Sequence, residues 1–402
     1  MKRPISWALS GVMAGFLAVA AIGGVSAQDR ESWLKAAQLG PQAPAKQDWA
    51  AIEAAARKEG SVVIYSVSSR IFDLAETFEK RYGVKIVAHD VTSLEQLEKL
   101  RREHEAGIYT VDVLFNNDSP TMLKELLPKK IVWNFVPDDA KAQLAPDEME
   151  PFLVQRWSSR ILIYNSKAHP DGAPIKNLWD LTRPEWKGRF QVTDPTSGVT
   201  ALVFQTVLQH ADEMNAAYEA AFGKKIEYSP KVAEVTKKLP DYGKPNAAIE
   251  WVYRVLQNQP AYESSTNKMF ANVAAVNQPK PPVGLVTFSK LRDVKKGVHE
   301  AAAAYEVTPA FGVAYPTVLA IADRAPHPNA AKLLIREMIS TGFAPWDVLG
   351  DYAARADVEA AQVKKYEKEG MPPFEKSNMW KADPDYVYDT GYSFTQLLLA
   401  LQ

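Results

Sequence analysis

Apolar residues recur along this chain in two alternating rhythms. Trp49, Ile52 and Ala56 stand at helical spacing over residues 48–59, a segment that Gly60 stops. The β-branched apolar run SVVIYS at 61–66 follows and predicts a buried strand. Ile71, Leu74, Ala75 and Phe78 share one face of a helix over 71–82, ended by Gly83, and 84–88 predicts a second strand. Thr92-Ser93-Leu94-Glu95 fits a capping box, in which hydroxyl and carboxylate satisfy the first free N–H groups of a helix running to Ala106. A third strand is predicted at 111–115, with Ser119 as N-cap and Pro120 as first residue of the next helix. Strand alternating with helix implies a parallel sheet covered on both faces, with any binding site outside the carboxyl ends of its strands. Those ends read Ser66-Val67-Ser68-Ser69 and Asn116-Asn117-Asp118-Ser119.

The pattern then repeats. Strands are predicted at 160–165 (RILIYN), 188–193, 283–288 (VGLVTF) and 318–323 (VLAIAD). A helical turn is predicted at 178–181, an apolar helix at 201–210, and a helix at 329–340 with Ala330, Leu333, Leu334 and Met338 on one side. Two α/β units joined by chain crossings account for the length. Residues 28–47 read as a loose lead-in, because Pro41 and Pro44 break any long helix. Before them, Met1-Lys2-Arg3 is a basic head followed by an apolar stretch over 8–25, with small residues flanking a cut after Ala27. Residues 1–27 are therefore predicted to be a cleaved signal peptide, and the mature chain is expected to be periplasmic.

Composition narrows the chemistry. Of 402 residues, 47% are hydrophobic and 24% charged, which suits a folded globular chain rather than a disordered one. Lys and Arg number 47 against 48 Asp and Glu, so no basic surplus supports nucleic-acid binding. Cysteine is absent, which excludes disulfides, thiolate metal sites and a cysteine nucleophile. The chain has no nucleophile elbow, H-E-x-x-H, P-loop or G-x-G-x-x-G, so no enzymatic activity and no cofactor are expected.

The sharpest local signal is Thr196-Ser197-Gly198-Val199-Thr200. Hydroxyls and free amides at a helix start form an anion site, although plain N-capping accounts for the same residues. Similar chemistry recurs at Ser66, Ser68 and Ser69, at Asp118, and at Ser264 and Ser265. Arg70, Arg156 and Arg160 could each hold a carboxylate or phosphate, or be solvated surface arginines. Tyr65 and His89, with Asp90 and Asp118, are the weaker candidates for a metal. The aromatic stretch Trp380–Tyr392 reads as packing of a terminal segment.

Taken in order, SVVIYS, FEKRYGVKIVAHD, EQLEKLRREHEAGIYTVDVLFNNDS, ILIYNSK, WKGRFQVTDPTSG, PPVGLVTFS, TPAFGVAYPTVLAI and APHPNAAKLLIREMIS resemble the type II periplasmic solute-binding proteins of ABC importers, in the group that includes the ferric-ion-binding proteins. The resemblance covers about residues 60–340. It implies two α/β domains, each a mostly parallel sheet flanked by helices, with a ligand cleft at the hinge. The first domain would comprise 48–158 plus about 308–345, the second about 159–307, and 346–402 would form a C-terminal helical extension. It also implies capture of a small polar or anionic solute by a monomer, and delivery to a membrane permease. Ferric iron and its chelates stand among the candidate solutes, and an exported hydrolase, lyase or solute sensor on the same scaffold is the competing reading. Ferric-binding members carry an adjacent tyrosine pair after the strand matching VGLVTF. Here that place reads Thr287-Phe288-Ser289, and the chain contains no Tyr-Tyr. Thr287 and Ser289 join the candidate ligand contacts on that ground.

Overall fold

The computed structural model describes residues 22–402, and the chain divides into two units, 1–44 and 45–402. The predicted signal segment lies outside the described residues up to residue 21. In the first unit a helix spans Ile22–Ala37, followed by a 3-10 turn at Gly40–Gln42. The loose lead-in expected over 28–47 is corrected here. Residues 29–37 contain neither Gly nor Pro, so nothing halts the helix before Gln38, whose φ of 51° ends it.

In the second unit twelve strands pair into one sheet among the described residues. They are β1 (Ser61–Ser66), β2 (Lys85–Asp90), β3 (Val113–Asn116), β4 (Val132–Trp133), β5 (Leu153–Tyr164), β6 (Phe190–Val192), β7 (Ala261–Tyr262), β8 (Val283–Thr287), β9 (Ala302–Ala303), β10 (Gly312–Ala322), β11 (Tyr352–Ala353) and β12 (Met379–Lys381). The main order is β2-β1-β3-β10-β5-β8-β6-β7. The two ends of the sheet, β2-β1-β3 and β8-β6-β7, are parallel. The middle is antiparallel, because β5 and β10 run from one end to the other and pair along their length from Leu153↔Leu319 to Ile161↔Gly312. Every residue of β10 is buried, as a strand covered on both faces requires.

Most predicted elements stand, with informative differences at their ends. Asp48 caps the helix Trp49–Glu59 and Gly60 ends it in the left-handed conformation. The capping box at Thr92 is complete, both reciprocal bonds being present on the helix Ser93–Glu105. β5 begins seven residues before the predicted 160, because the polar stretch Gln155–Ser159 hides a strand from an apolar search. β10 likewise begins six residues before 318, across Pro316, which gives no ladder N–H. β2 extends to Asp90, so His89 lies inside the strand and pairs with Tyr65 rather than following the strand end. Asp118, not Ser119, caps the next helix, its carboxylate accepting from the Thr121 N–H at 3.2 Å. The helix predicted to open at 201 begins at Gly198.

The C-terminal segment is not purely helical. It holds the helices Ala356–Lys365 and Pro384–Leu401, but it also gives two strands to the central sheet, β11 against β5 and β12 against β10. The helix Pro384–Leu401 packs against Ser119–Leu126 at one end of the sheet and against the helix Gly198–Gln209 at the other. Lys124 reaches Asp385 at 2.7 Å and Asp389 at 3.2 Å, while the Thr390 hydroxyl donates to Gln205 at 2.9 Å.

Candidate functional site

Three loops at the carboxyl ends of strands meet the C-terminal helix around a cavity of about 520 Å³. Thr92 and Ser93 follow β2, Asn117 and Asp118 follow β3, and Thr196–Gly198 follow β6; Gln205, Val387 and Phe394 are also in its wall. A smaller pocket of about 410 Å³ shares Thr92, Ser93 and Asn117 with it and reaches Val67, in the loop after β1. The Ser93 hydroxyl donates to Asn117 at 2.5 Å, tying the β2 and β3 loops together. Burial raises the Asp118 carboxyl above the usual range, against the lowering effect of the Thr121 N–H and hydroxyl. Ser197 holds the N-cap position of the helix Gly198–Gln209 but makes no side-chain cap bond, so its hydroxyl is not spent on the helix. Thr196 differs: its N–H and hydroxyl both donate to Asp194 Oδ1, at 2.8 and 2.7 Å. Thr200 is buried and shares a hydrogen bond with Thr193.

A second group of polar side chains stands where β5 and β10 cross. In a strand, alternate residues share a face, which puts Arg156, Ser158 and Arg160 together. The register sets them beside Thr317, Tyr315 and Val313 of β10, and sets Arg160 beside Thr287 of β8. The Arg160 guanidinium donates to the Thr287 hydroxyl. Asp351 enters from the C-terminal segment, 2.8 Å from Arg70 and 3.7 Å from Arg156, and accepts from the Ser158 hydroxyl at 3.2 Å. Gly350 makes that approach possible. Its φ is +84°, and a Cβ there would sit 2.3 Å from Cγ of Phe288, so only glycine fits.

The charge balance of this face is uneven. Arg70 and Arg156 share one carboxylate, Asp351, while Arg160 pairs with no acid among the described residues and Lys290 stands near Arg70, Arg160, Arg292 and Asp293. Arg156 and Arg160 each keep a buried Nε–H without a hydrogen-bond partner. Burial pulls both guanidinium pKa values below their ordinary range. Burial also lowers Lys290, with repulsion from Arg292, Arg70 and Arg160 outweighing the pull of Asp293. Burial pushes the Tyr315 phenol up, leaving it a neutral donor. This face therefore carries more cationic than anionic side chains among the described residues.

The remaining sequence candidates fall elsewhere. Ser66 is buried and closes its own turn, donating to Ser68 O at 2.8 Å and accepting from the Ser68 N–H at 3.1 Å. The Ser68 hydroxyl accepts from Trp346 Nε1 at 3.1 Å, and Ser69 is exposed beside Arg70. Ser264 is exposed; Ser265 caps the helix Thr266–Ala274. Ser289 is buried, its carbonyl accepting from Arg292 at 3.2 Å. Tyr65 donates to Glu103 at 2.9 Å, carries Lys99 over its ring, and has its pKa raised chiefly by burial, which disfavours a tyrosinate. His89 packs edge-on against it at 5.5 Å and is exposed. Among the described residues no group of three or more His, Asp and Glu side chains is placed to hold a metal. Phe288, where a ligand tyrosine would sit by resemblance, is a core residue packed against Phe311, Tyr305 and Tyr352. Lys290, Tyr315 and Asp351 are the residues a sequence reading misses. The alternation Arg156-x-Ser158-x-Arg160 was the available signal for the face they share.

Residues 73–372 match the family model of the bacterial extracellular solute-binding proteins. No functionally curated protein matches the chain in sequence. Among solved structures, iron-bound HitA from Pseudomonas aeruginosa is 18% identical, with a TM-score of 0.59 over 84% of this chain and 99% of that one. An ABC transporter substrate-binding protein from Bradyrhizobium japonicum USDA 110 is 13% identical, with a TM-score of 0.61 over 85% and 99%. The periplasmic binding protein MotA from A. tumefaciens B6, in complex with glucopine, is 14% identical, with a TM-score of 0.55 over 85% and 99%. These likenesses show the fold, that of the two-domain α/β periplasmic binding proteins. With a family match that spans most of its length, the chain belongs to the bacterial extracellular solute-binding proteins.

Proposed function

We propose that this protein is the exported, periplasmic component of an ABC importer, a monomer that captures an anionic solute and delivers it to the membrane permease. The two ends of the sheet act as the two domains, about 48–158 with 308–345 and about 159–307. β5 and β10 carry the hinge, and a solute bridging both sides draws them together. The observation that carries the anionic reading is the cationic excess on this face: Arg156 is buried, Arg70, Arg160 and Lys290 are partly buried, and Asp351 is the acid that Arg70 and Arg156 share. A bound carboxylate or phosphoryl group supplies the missing acceptor, with bidentate geometry available from arginine. No recognised nucleophile motif in the sequence supports the hydrolase or lyase reading.

Relatives of this fold are described with iron, with iron and citrate, or with glucopine. For this chain an organic anion fits better than a bare ferric ion, since a cationic face repels a metal and Tyr65 is committed to Glu103. The test is a titration with carboxylates, phosphonates, ferric citrate and ferric ion, followed by tryptophan fluorescence and thermal unfolding. An anion should shift both signals, with the unfolding midpoint rising with its concentration. The purified protein should be colourless. A visible band abolished by a chelator, or a response to ferric ion with none to any anion, would overturn the reading.

A further inference from the structure

The two ends of the cationic face are not alike. Asp351 serves Arg70 and Arg156, at 2.8 and 3.7 Å. Arg160 stands four residues further along β5, which in a strand is roughly 13 Å. Burial lowers the pKa of both buried arginines, but Asp351 pulls against it at Arg156, and only the Tyr315 phenol does so at Arg160. Thr287 and Lys290 complete the Arg160 end. Thr287 closes β8 and stands at the N-cap of the 3-10 turn Phe288–Asp293. Side chains three residues apart eclipse on such a turn, so Lys290 lies on the same side as Thr287, whose hydroxyl accepts from Arg160. Arg160 adds repulsion at Lys290, as two neighbouring cations must. Arg160, Thr287 and Lys290 are each half-buried, so solvent reaches all three. Arg292, on the same turn, is 3.7 Å from Asp293 and donates to the Ser289 carbonyl at 3.2 Å. With Asp293 set against Arg292, the charges of Arg160 and Lys290 are left over among the described residues. Arginine cannot shed its charge, and Arg160 keeps a buried Nε–H without a partner.

We infer that Arg160, Lys290 and Thr287 form a subsite for a doubly charged phosphoryl or phosphonyl head group rather than for a single carboxylate. The inference rests on reading the cationic face as the solute site. A monocarboxylate balances one of the two charges, whereas a phosphoryl dianion balances both. Its three oxygens also match three kinds of donor, the guanidinium fork, the ammonium and the threonine hydroxyl. Asp351 keeps Arg70 and Arg156 in place at the other end and leaves this end to the ligand.

Four probes test this by calorimetry on the full chain: phenylphosphonate, benzenesulfonate, benzoate and inorganic phosphate. The first three share one body, so only the head group differs. Phenylphosphonate and benzenesulfonate are both tetrahedral, but the phosphonate loses a second proton near neutrality while the sulfonate stays singly charged at every pH. Above that second ionisation, wild type should bind phenylphosphonate roughly tenfold or more tightly than benzenesulfonate or benzoate, from the added charge. Below it, the phosphonate-to-sulfonate ratio should fall to about one, the sulfonate reporting any titration of the protein itself. Lys290→Met should cut the ratio severalfold, and Lys290→Arg, which keeps the charge, should retain it. The wild-type ratio alone is decisive if a variant does not fold. Equal binding of the three aryl anions, a ratio that persists below the second ionisation, or one that Lys290→Met leaves intact would overturn the inference and leave the anionic reading standing. Inorganic phosphate has no body to fit, so its binding without any aryl anion would uphold the subsite. Silence from all four would overturn both.

Discussion

Asp351→Asn is expected to lower the stability of the ligand-free protein by about 3–5 kcal/mol, the usual cost of removing one partner from a buried ion pair. Asp351 has a side chain only 4% exposed and is the acid within reach of both Arg70 and Arg156. Asparagine keeps the shape and can still accept from Ser158, so the loss isolates charge rather than packing. The same variant should bind phenylphosphonate more tightly than wild type, because the added anion then neutralises guanidiniums that Asp351 served. Chemical denaturation with and without the probe measures both effects. Unchanged ligand-free stability would mean that Asp351 does not hold the arginines.

Arg160→Met should do the reverse. Among the described residues Arg160 has no acid partner, and it keeps an unpartnered buried Nε–H, so methionine should leave stability unchanged or raise it. Affinity for phenylphosphonate should fall by roughly ten- to a hundredfold, the value of a charge-assisted hydrogen bond of about 1.5–3 kcal/mol. Lys290 gives this face a pH dependence. Burial lowers its pKa, so it deprotonates earlier than an ordinary lysine, and anion affinity should fall as pH rises through that lowered value. A bound anion favours the protonated amine, so binding should take up protons in that window. Calorimetry in two buffers of different ionisation enthalpy reads the uptake directly. Proton release, or an affinity that rises with pH there, would contradict the assignment.

The first end of the sheet was legible because its segments carry one clear rhythm each: SVVIYS, the Ile71–Phe78 face and the Thr92 capping box all stand in the structure. The crossing strands were half legible. Their apolar halves, 160–164 and 318–322, showed, while Gln155–Ser159 and the stretch around Pro316 did not, since polar residues and proline argue against a buried strand. The polar interruption is itself the cationic face, the segment to which the proposed function assigns the solute. Asp118, Thr196 and Ser197 were readable from strand-end position and do line the cavity. Asp351 was not, because its contacts depend on a C-terminal segment folding back against residues that are distant in sequence.

Native mass spectrometry of the protein taken from the periplasm without dialysis tests the central claim most directly. The account predicts a single non-covalent adduct per chain, an organic anion, absent from the Arg156→Met/Arg160→Met double variant. A ferric ion bound without an organic anion, or the same adduct on the double variant, would contradict it.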